Sequence, residues 1–292
     1  MYLRTIERFS KPLQSGLSDA GGCWPDAATK GTSCWFMSKH GGDKTAVFVS
    51  DAARGNDPVC VLVWIHGDII PCCDEGGDSV SLIKSEQFPL SRQIADSKRP
   101  FVLVAPTMNW TWGNNKESHP LGTPTKINAF LEEVRSGLTH AGWSVAPSIG
   151  RLILAGHSRA YVALNALAKV VGDDKADKKE KAAWKKGALT TLSDVWLLDA
   201  TYGKKNKKVY CSNWMGWAKA MSGVHLHISY RRGSDTAAVA ERIRDEAAKA
   251  GLGNVKVQDF HRCLLSHCDL PRDRIPALLA ARGVSVCTAF TP

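Results

Sequence analysis

The strongest constraint in the sequence is the run Val59–Ile65, seven consecutive apolar residues with no polar side chain among them. A strand with one solvated face alternates apolar and polar residues, whereas a continuous apolar run is typical of a strand buried on both faces. Similar runs occupy residues 101–105 and 151–155. Strands buried on both faces need helices on both sides of their sheet, so these runs predict an α/β fold.

Segments with helical spacing of apolar residues separate these runs along the chain. The predicted strands cover residues 33–38, 45–50, 59–65, 101–105, 151–155, 195–198, 224–230 and 255–260. The predicted helices cover residues 90–96, 126–140, 158–171, 236–250 and 276–282. The first two strands read as a hairpin, and the alternation after them predicts a mostly parallel central sheet with helices on both faces. We expect one domain over residues 33–292, preceded by an N-terminal extension over residues 1–32.

The size and hydrophobicity of the chain fit this picture. It has 292 residues, of which 44% are hydrophobic, enough for one large core. No apolar stretch approaches the roughly 20 residues that cross a bilayer, so no membrane span is expected. The first residues carry no apolar signal-peptide core, which predicts a cytoplasmic protein, with secretion open if a leader has been removed.

The formal net charge is +10, and much of it lies in a lysine-rich insert near residues 173–190. Acidic residues are interleaved with the lysines, and no nucleic-acid-binding signature accompanies them. We therefore expect a solvated surface segment and no nucleic-acid partner. The overall charge favours acidic partners or an anionic substrate.

The nine cysteines do not follow a zinc-site pattern. Cys263, His267 and Cys268 resemble part of a metal site, but no matching second pair stands elsewhere, so no metal is predicted. Reduced thiols are the expectation for a cytoplasmic chain, whereas an exported chain would allow a disulfide between Cys23 and Cys34.

The most informative motif is Gly156-His157-Ser158-Arg159-Ala160, which follows a predicted strand and begins a predicted helix. A serine at such a sharp turn needs small residues two positions before and after it, and Gly156 and Ala160 meet that need. The motif resembles the nucleophile elbow of the α/β-hydrolase superfamily, whose common form is G-x-S-x-G. The final glycine is alanine here, a departure of one methyl group. The resemblance covers about residues 33–285 and implies a serine hydrolase with Ser158 as nucleophile.

In that superfamily the loop after an earlier strand supplies one backbone N–H to the oxyanion hole, and the residue after the nucleophile supplies the other. The resemblance assigns these donors to Gly67 or Asp68 and to Arg159. His66 and His157, which neighbour the donors and the nucleophile, are predicted to contact the substrate.

The resemblance also implies a histidine base after the last core strand and an acid after an earlier one. His267 lies in a loop before the last helix and is the preferred base, with His261 as the alternative. Asp235 holds the more usual place for the acid, although it could equally cap the following helix. Asp199 ends a buried strand at the edge where α/β sheets keep their sites, and the stretch Leu197-Leu198-Asp199-Ala200-Thr201-Tyr202-Gly203 resembles other bacterial hydrolases. We therefore prefer Asp199 and keep Asp235 open.

The substrate pocket is less clearly marked. Trp110 and Trp112 follow a predicted strand and would either line an acyl or sugar pocket or cover loop backbone. Arg159, Arg231 and Arg232 are candidates for binding a carboxylate. No glycine-rich phosphate loop or dinucleotide fingerprint is present, so no cofactor is expected.

These residues predict a metal-free serine hydrolase that cleaves a carboxylic ester through an acyl-enzyme on Ser158. The same residues would serve an amidase or a peptidase. The third hypothesis is a non-catalytic binding protein on a hydrolase scaffold, since a fold does not fix a function.

Overall fold

The structure is a computed structural model that describes residues 23–26, 29–41, 44–67, 83, 89–108, 121–173, 175–203, 206–261 and 266–281. One sheet runs through these residues. Its strands are β1 (Cys23–Asp26), β2 (Gly31–Met37), β3 (Lys44–Ser50), β4 (Val59–Ile65), β5 (Phe101–Pro106), β6 (Ile149–His157), β7 (Leu192–Leu198), β8 (His225–Arg232) and β9 (Val255–His261). Their order across the sheet is β1-β2-β3-β5-β4-β6-β7-β8-β9.

The sheet is mixed only at one edge. β1, β2 and β3 pair antiparallel, and β3 pairs antiparallel with β5. From β5 to β9 all neighbours are parallel. The predicted mostly parallel sheet is therefore confirmed, as is the hairpin formed by β2 and β3. The carboxyl ends of the parallel strands all meet at one edge of the sheet, where α/β proteins place their sites.

The helices are α1 (Leu90–Asp96), α2 (Pro124–Leu138), α3 (Tyr161–Gly172), α4 (Lys178–Ala183), α5 (Lys207–Ala220), α6 (Ala237–Lys249) and α7 (Asp269–Ala281). None of the helices in this described part of the chain combines the length and hydrophobicity that a membrane crossing requires.

The core has two halves because the buried strand β4 sends alternate side chains to opposite faces of the sheet. Val61 and Val63 join a cluster covered by α2, α3, α5 and α6, whereas Leu62 and Trp64 join a cluster covered by α1 and α7. Helices thus cover both faces, as predicted. Each β4 side chain is almost fully buried, which explains why the run contains no polar residue.

Two predicted elements differ from the observed ones. α7 begins at Asp269, so it contains the segment from Pro276 that was predicted to lie in the last helix and also takes in residues 269–271, which were expected to belong to the preceding loop. Pro271 lies in the first turn, a position that helices favour for proline, and the helix continues past Pro276. β7 begins at Leu192 and extends the predicted strand at its amino end.

The lysine-rich insert packs against the domain. The carboxylate of Glu180 accepts a hydrogen bond from the Thr125 N–H at 2.9 Å, and the Asn128 amide donates to the Ala183 carbonyl at 2.9 Å. Trp184 is buried. Near the amino terminus, β1 and the first two residues of β2 lie within the predicted extension over residues 1–32. The end of that segment therefore contributes to the sheet.

The cysteines correct one expectation. Cys34, Cys60 and Cys268 are disulfide-bonded, so the prediction of reduced thiols is wrong for these three. Cys211 is a free, buried thiol, and burial raises its pKa to about 12. Cys23 lies opposite Cys34 in the β1–β2 register, and a Cys23–Cys34 bridge stays a prediction. The sequence could not show the oxidation state of the cysteines, because that state depends on the cellular compartment in which the protein resides.

Candidate active site

Two neighbouring strands end in unusual backbone conformations at the carboxyl edge of the sheet. Ser158 directly follows β6 with φ of 53°, and Asp199 directly follows β7 with φ of 47°. Non-glycine residues rarely adopt positive φ, and such strained residues cluster at functional sites, where the surrounding structure enforces the conformation. β6 and β7 are adjacent and parallel, so this edge carries both residues side by side.

The turn at Ser158 has the steric requirements that the sequence predicted. A Cβ atom at Gly156 would lie 2.8 Å from the Ala160 Cβ and 2.5 Å from the Leu164 Cδ1. Gly67, just after β4, also has no room for a side chain, because a Cβ there would lie 2.5 Å from the Ser158 Cβ. The backbone of Gly67 therefore approaches the serine closely, as an oxyanion-hole donor must.

Asp199 and His267 form the charged centre of the site. The His267 Nδ1 lies 2.7 Å from the Asp199 Oδ2, and the carboxylate is fully buried. The Arg231 Nε donates to the same oxygen at 2.7 Å, and the Thr236 hydroxyl donates to Oδ1. Burial raises the pKa of Asp199, but the hydrogen bonds from His267, Thr236 and Arg231 outweigh it and hold that pKa well below its usual value. Asp199 is therefore ionised in the folded protein.

The two histidines that were predicted to contact substrate are both buried. The His157 Nε2 donates to the His267 carbonyl at 3.0 Å, and its ring lies 4.4 Å from the His267 ring. Burial lowers the pKa of His157 to about 3, and nearby His267 adds to the effect, so the ring is neutral. The His66 Nε2 accepts from the Met108 N–H at 2.8 Å. Both imidazoles thus support backbone around the site and expose little surface to a substrate.

The alternatives for acid and base are both exposed to solvent. Asp235 is exposed in the turn before α6, and His261 is exposed as the last residue of β9. The structure instead brings His267 together with Asp199, over a separation of 68 residues. Asp68, Trp110 and Trp112 lie outside the described residues.

The arginines that were predicted to bind an anionic substrate are already engaged. Arg231 pairs with Asp199 as above, and the Arg232 Nε donates to Asp259 at 2.7 Å. Arg159 follows Ser158 in the short 3-10 turn Ser158–Ala160, so its backbone N–H has the position in the chain that the resemblance implied for the second oxyanion donor. Its side chain is half-buried.

Sequence reasoning missed Tyr202 and Thr236 and gave Arg231 a different role. The Tyr202 ring stands edge-on to the His267 ring, with 6.3 Å between the ring centroids. Thr236 and Arg231 both hold the Asp199 carboxylate. The available signal was positional: Tyr202 lies three residues after Asp199, and Arg231 lies at the carboxyl end of the next strand.

A metal at this edge would need several free ligands close together. In the described segments, no group of three histidine, cysteine or acidic side chains is arranged to hold a metal ion. The sulfur of Cys268 is in a disulfide, so it is not a thiolate ligand for the metal site considered from the sequence. The site presents the groups of nucleophilic acyl-transfer chemistry instead: a serine, an imidazole, a buried carboxylate and backbone N–H donors.

No family model matches the sequence, and no curated protein matches it by sequence similarity. Solved structures do match it. The feruloyl esterase module of Clostridium thermocellum, an S954A mutant complexed with sinapinate, is 12% identical with a TM-score of 0.53 and covers 91% of this chain and 95% of its own. The chain has the α/β-hydrolase fold.

Two further structures support that assignment of fold. An S-formylglutathione hydrolase from Agrobacterium tumefaciens is 11% identical with a TM-score of 0.51, covering 88% of this chain and 96% of its own. The Staphylococcus aureus fluorophosphonate-binding serine hydrolase FphF is 11% identical with a TM-score of 0.50, and the match covers 85% of this chain and 96% of its own. At these identities the likeness identifies the fold, and the α/β-hydrolase fold predicted from the sequence is confirmed.

Proposed function

We propose that this protein is a serine hydrolase that cleaves a carboxylic ester, with Ser158 as nucleophile, His267 as base and Asp199 as the acid that orients the base. The observation that carries the proposal is the 2.7 Å hydrogen bond between His267 and the buried Asp199, at the sheet edge where Ser158 stands in a strained turn. The order serine, aspartate, histidine along the chain is that of the α/β-hydrolases.

The tautomer of His267 follows from its partner. An ionised carboxylate only accepts hydrogen bonds, so the His267 Nδ1 carries the proton and donates it to Asp199. The Nε2 atom is then unprotonated and is the atom that removes the proton from Ser158. Asp199 stabilises the imidazolium that forms and remains ionised throughout.

The reaction then has two halves. In the first, the Ser158 Oγ bonds to the ester carbonyl carbon as its proton moves to His267, and the oxyanion is held by backbone N–H groups of Gly67 and Arg159. The C–O bond to the alcohol breaks, and the alcohol leaves with the proton from His267. In the second, water replaces the alcohol, and hydrolysis of the acyl-enzyme releases the acid and restores Ser158.

An ester is preferred to an amide because the neighbour named above as an esterase, the feruloyl esterase module, shares this fold over 91% of the chain. A pair of substrates with one acyl group tests the choice: a p-nitrophenyl ester and the matching p-nitroanilide. We expect turnover of the ester to exceed turnover of the anilide, and Ser158→Ala to lower ester kcat by about 10⁴-fold or more. Faster anilide turnover would favour the amidase hypothesis, and an inert folded protein would favour the binding-protein hypothesis.

We also propose that the protein works in an oxidising compartment rather than in the cytoplasm. Cys34, Cys60 and Cys268 are disulfide-bonded, and structural disulfides persist mainly outside the cytoplasm. Cys268 directly follows His267, so its bond also restrains the segment that carries the base. Protein from its own cells, denatured without reductant, should be alkylated at Cys211 and not at these three cysteines. Alkylation of all four without reductant would contradict the proposal.

A further inference from the structure

We propose that Arg231 is a positioning residue that extends the activity of this enzyme into mildly acidic solution, because it shares the Asp199 carboxylate with His267 and opposes protonation of the imidazole. The proposal rests on the function proposed above, in which His267 must be unprotonated to act as the base. It begins from one observation. The Arg231 Nε and the His267 Nδ1 each lie 2.7 Å from the same carboxylate oxygen, the Asp199 Oδ2.

The shared oxygen changes what the carboxylate does to the imidazole. A carboxylate beside a histidine favours the charged imidazolium, and a nearby positive charge disfavours it. The guanidinium of Arg231 keeps its charge throughout the range in which proteins work. It therefore compensates the charge of Asp199 before His267 takes up a proton, and that proton would add a second positive charge on the same oxygen. The Asp199 carboxylate is fully buried, so solvent screens these interactions weakly.

The backbone holds the arginine and the aspartate together. Arg231 lies near the carboxyl end of β8, which pairs in parallel with β7, the strand that Asp199 follows. The Arg231 N–H donates to the Asp199 Oδ1 at 3.4 Å, and the Asp199 N–H donates to the Ser229 carbonyl at 2.7 Å. The Ser234 hydroxyl donates to the Arg231 carbonyl at 2.6 Å. The arginine is therefore fixed against the carboxylate from both its backbone and its side chain.

Two other titratable side chains face the His267 ring, and both are uncharged in the pH range that matters. His157 faces it from the end of β6, with 4.4 Å between the ring centroids, and Tyr202 faces it from the loop after β7 at 6.3 Å. Burial lowers the pKa of His157 to about 3, and burial raises the pKa of Tyr202. Both side chains are therefore neutral in mildly acidic and neutral solution, so neither supplies the charge that Arg231 supplies.

The remaining charged groups near this edge are screened or paired. Asp235, in the turn before α6, is exposed to solvent. Asp269, at the start of α7, pairs with Arg272 at 2.8 Å. The Arg231 side chain, by contrast, is 22% exposed and directly contacts the buried carboxylate. Its charge therefore acts on the imidazole with less screening than the charges of these neighbours.

The consequence appears in the pH dependence of the reaction. As pH falls, the imidazolium forms and can no longer accept a proton, so the rate declines along an acidic limb. Because Arg231 opposes the imidazolium, this limb lies at lower pH than it would without the arginine. Loss of Arg231 should therefore reduce activity in acid much more than activity on the neutral plateau. A purely structural role of Arg231 would lower the rate at every pH by the same factor.

Arg231→Gln tests this with an uncharged p-nitrophenyl ester, so that no loss of anion binding contributes. We expect the acidic limb of the kcat/KM–pH profile to move to higher pH by about one unit, a loss of about tenfold at a pH on that limb. The pH profile of fluorophosphonate labelling at Ser158 should move by the same amount. Arg231→Met removes the charge but fills similar space, and it should give the same displacement if the glutamine variant does not fold. Arg231→Lys keeps the charge and should recover most of the wild-type profile.

Arg151→Gln is the matched control, because Arg151 pairs with the buried Asp194 at 3.0 Å at the amino end of β7. This variant removes the same charge and breaks an equivalent buried pair away from the carboxyl edge. It should lower the melting temperature and leave the acidic limb in place.

The possible failures of this inference and of the proposed function are distinguishable. A folded Arg231→Gln or Arg231→Met whose acidic limb coincides with that of the wild type, with Ser158 still labelled, would overturn this inference alone. An equal displacement in Arg151→Gln would overturn it too, because the shift would then follow from lost charge or stability in general. A wild-type protein with neither label nor turnover would overturn the proposed function and this inference together.

Discussion

The two ends of β7 carry nearly the same side chains in different arrangements. At the amino end, the buried Asp194 accepts from Arg151 at 3.0 Å and from the Ser193 hydroxyl at 2.7 Å, with the His227 Nε2 at 3.4 Å. At the carboxyl end, the buried Asp199 is held by an arginine, a histidine and a threonine hydroxyl, as described above. Each end therefore pairs a carboxylate with an arginine, an imidazole and a hydroxyl.

The difference between the ends is the backbone. Asp194 lies within the regular strand β7. Asp199 instead has a positive φ and lies at the carboxyl edge of the sheet, where Ser158 also has a positive φ. His227 lies within β8 and is almost fully buried, while the His267 side chain keeps 24% of its surface exposed. Side-chain types alone do not make a catalytic site; a strained nucleophile and an accessible imidazole at the carboxyl edge distinguish the two ends.

The sharpest way to test this comparison is to remove each imidazole. We expect His267→Ala to lower kcat for ester hydrolysis by about 10⁴-fold or more, because the variant lacks the proposed base that takes the Ser158 proton. We expect His227→Ala to leave kcat near the wild-type value and to lower the melting temperature. Steady-state kinetics and thermal melts on both variants provide the measurement.

His261→Ala is the control for the alternative base. His261 is exposed at the end of β9, so its loss should change neither rate nor stability appreciably. A large loss of rate in His261→Ala with a mild effect of His267→Ala would reverse the two assignments.

The next largest effect separates the two aspartates. Asp199→Asn should lower kcat by about 10⁴-fold, since an amide no longer holds the imidazole in the tautomer that accepts the serine proton. Asp194→Asn should keep the rate and destabilise the fold by about 1–3 kcal/mol, because Arg151 loses its buried partner.

Asp235→Asn completes this series. Its side chain is exposed, so we expect rate and stability near those of the wild type. Ester-hydrolysis rates and denaturant midpoints, measured for all three variants, test whether Asp199 alone is the acid. If Asp194→Asn or Asp235→Asn lost as much activity as Asp199→Asn, the assignment of the acid to one end of β7 would fail.

The smallest predicted effect concerns acid stability. Because the folded-state pKa of Asp199 is depressed, its ionised form stabilises the fold above the ordinary carboxyl pKa of 3.8. That contribution is lost as pH falls through the lower folded value. The difference in unfolding free energy between wild type and Asp199→Asn should therefore narrow on going from about pH 6 to about pH 3. Urea denaturation at both pH values checks this, and a gap that widens in acid would contradict the assignment.

The features that could be predicted were those determined by short contiguous segments of the sequence. Continuous apolar runs such as Val59–Ile65 identified buried strands, and Gly156, Ser158 and Ala160 identified the sharp turn by sterics alone. The preference for Asp199 rested on its place at the end of a buried strand, and the structure brings His267 to it. Each of these inferences depends on a few neighbouring residues and a general rule of parallel sheets.

The parts that could not be predicted depend on contacts between distant segments. Arg231 carried a plausible role as an anion binder, and only the parallel pairing of β7 with β8 shows that it holds Asp199. Tyr202 had no recognisable motif, since its ring meets the His267 ring only because the loop between Asp199 and Gly203 lies beside the segment that carries His267. Disulfides were expected only for an exported chain, because the expected compartment, rather than the cysteine spacing, determined the prediction.

The central claim is that Ser158 is a nucleophile activated by its surroundings, and fluorophosphonate labelling tests it most directly. Intact mass after treatment, followed by peptide mapping, reports whether and where the reagent binds. The account predicts one adduct, on Ser158, in the wild type, and no adduct in Ser158→Ala or in the heat-denatured protein. A folded wild type without an adduct, or an adduct that persists in Ser158→Ala, would contradict it.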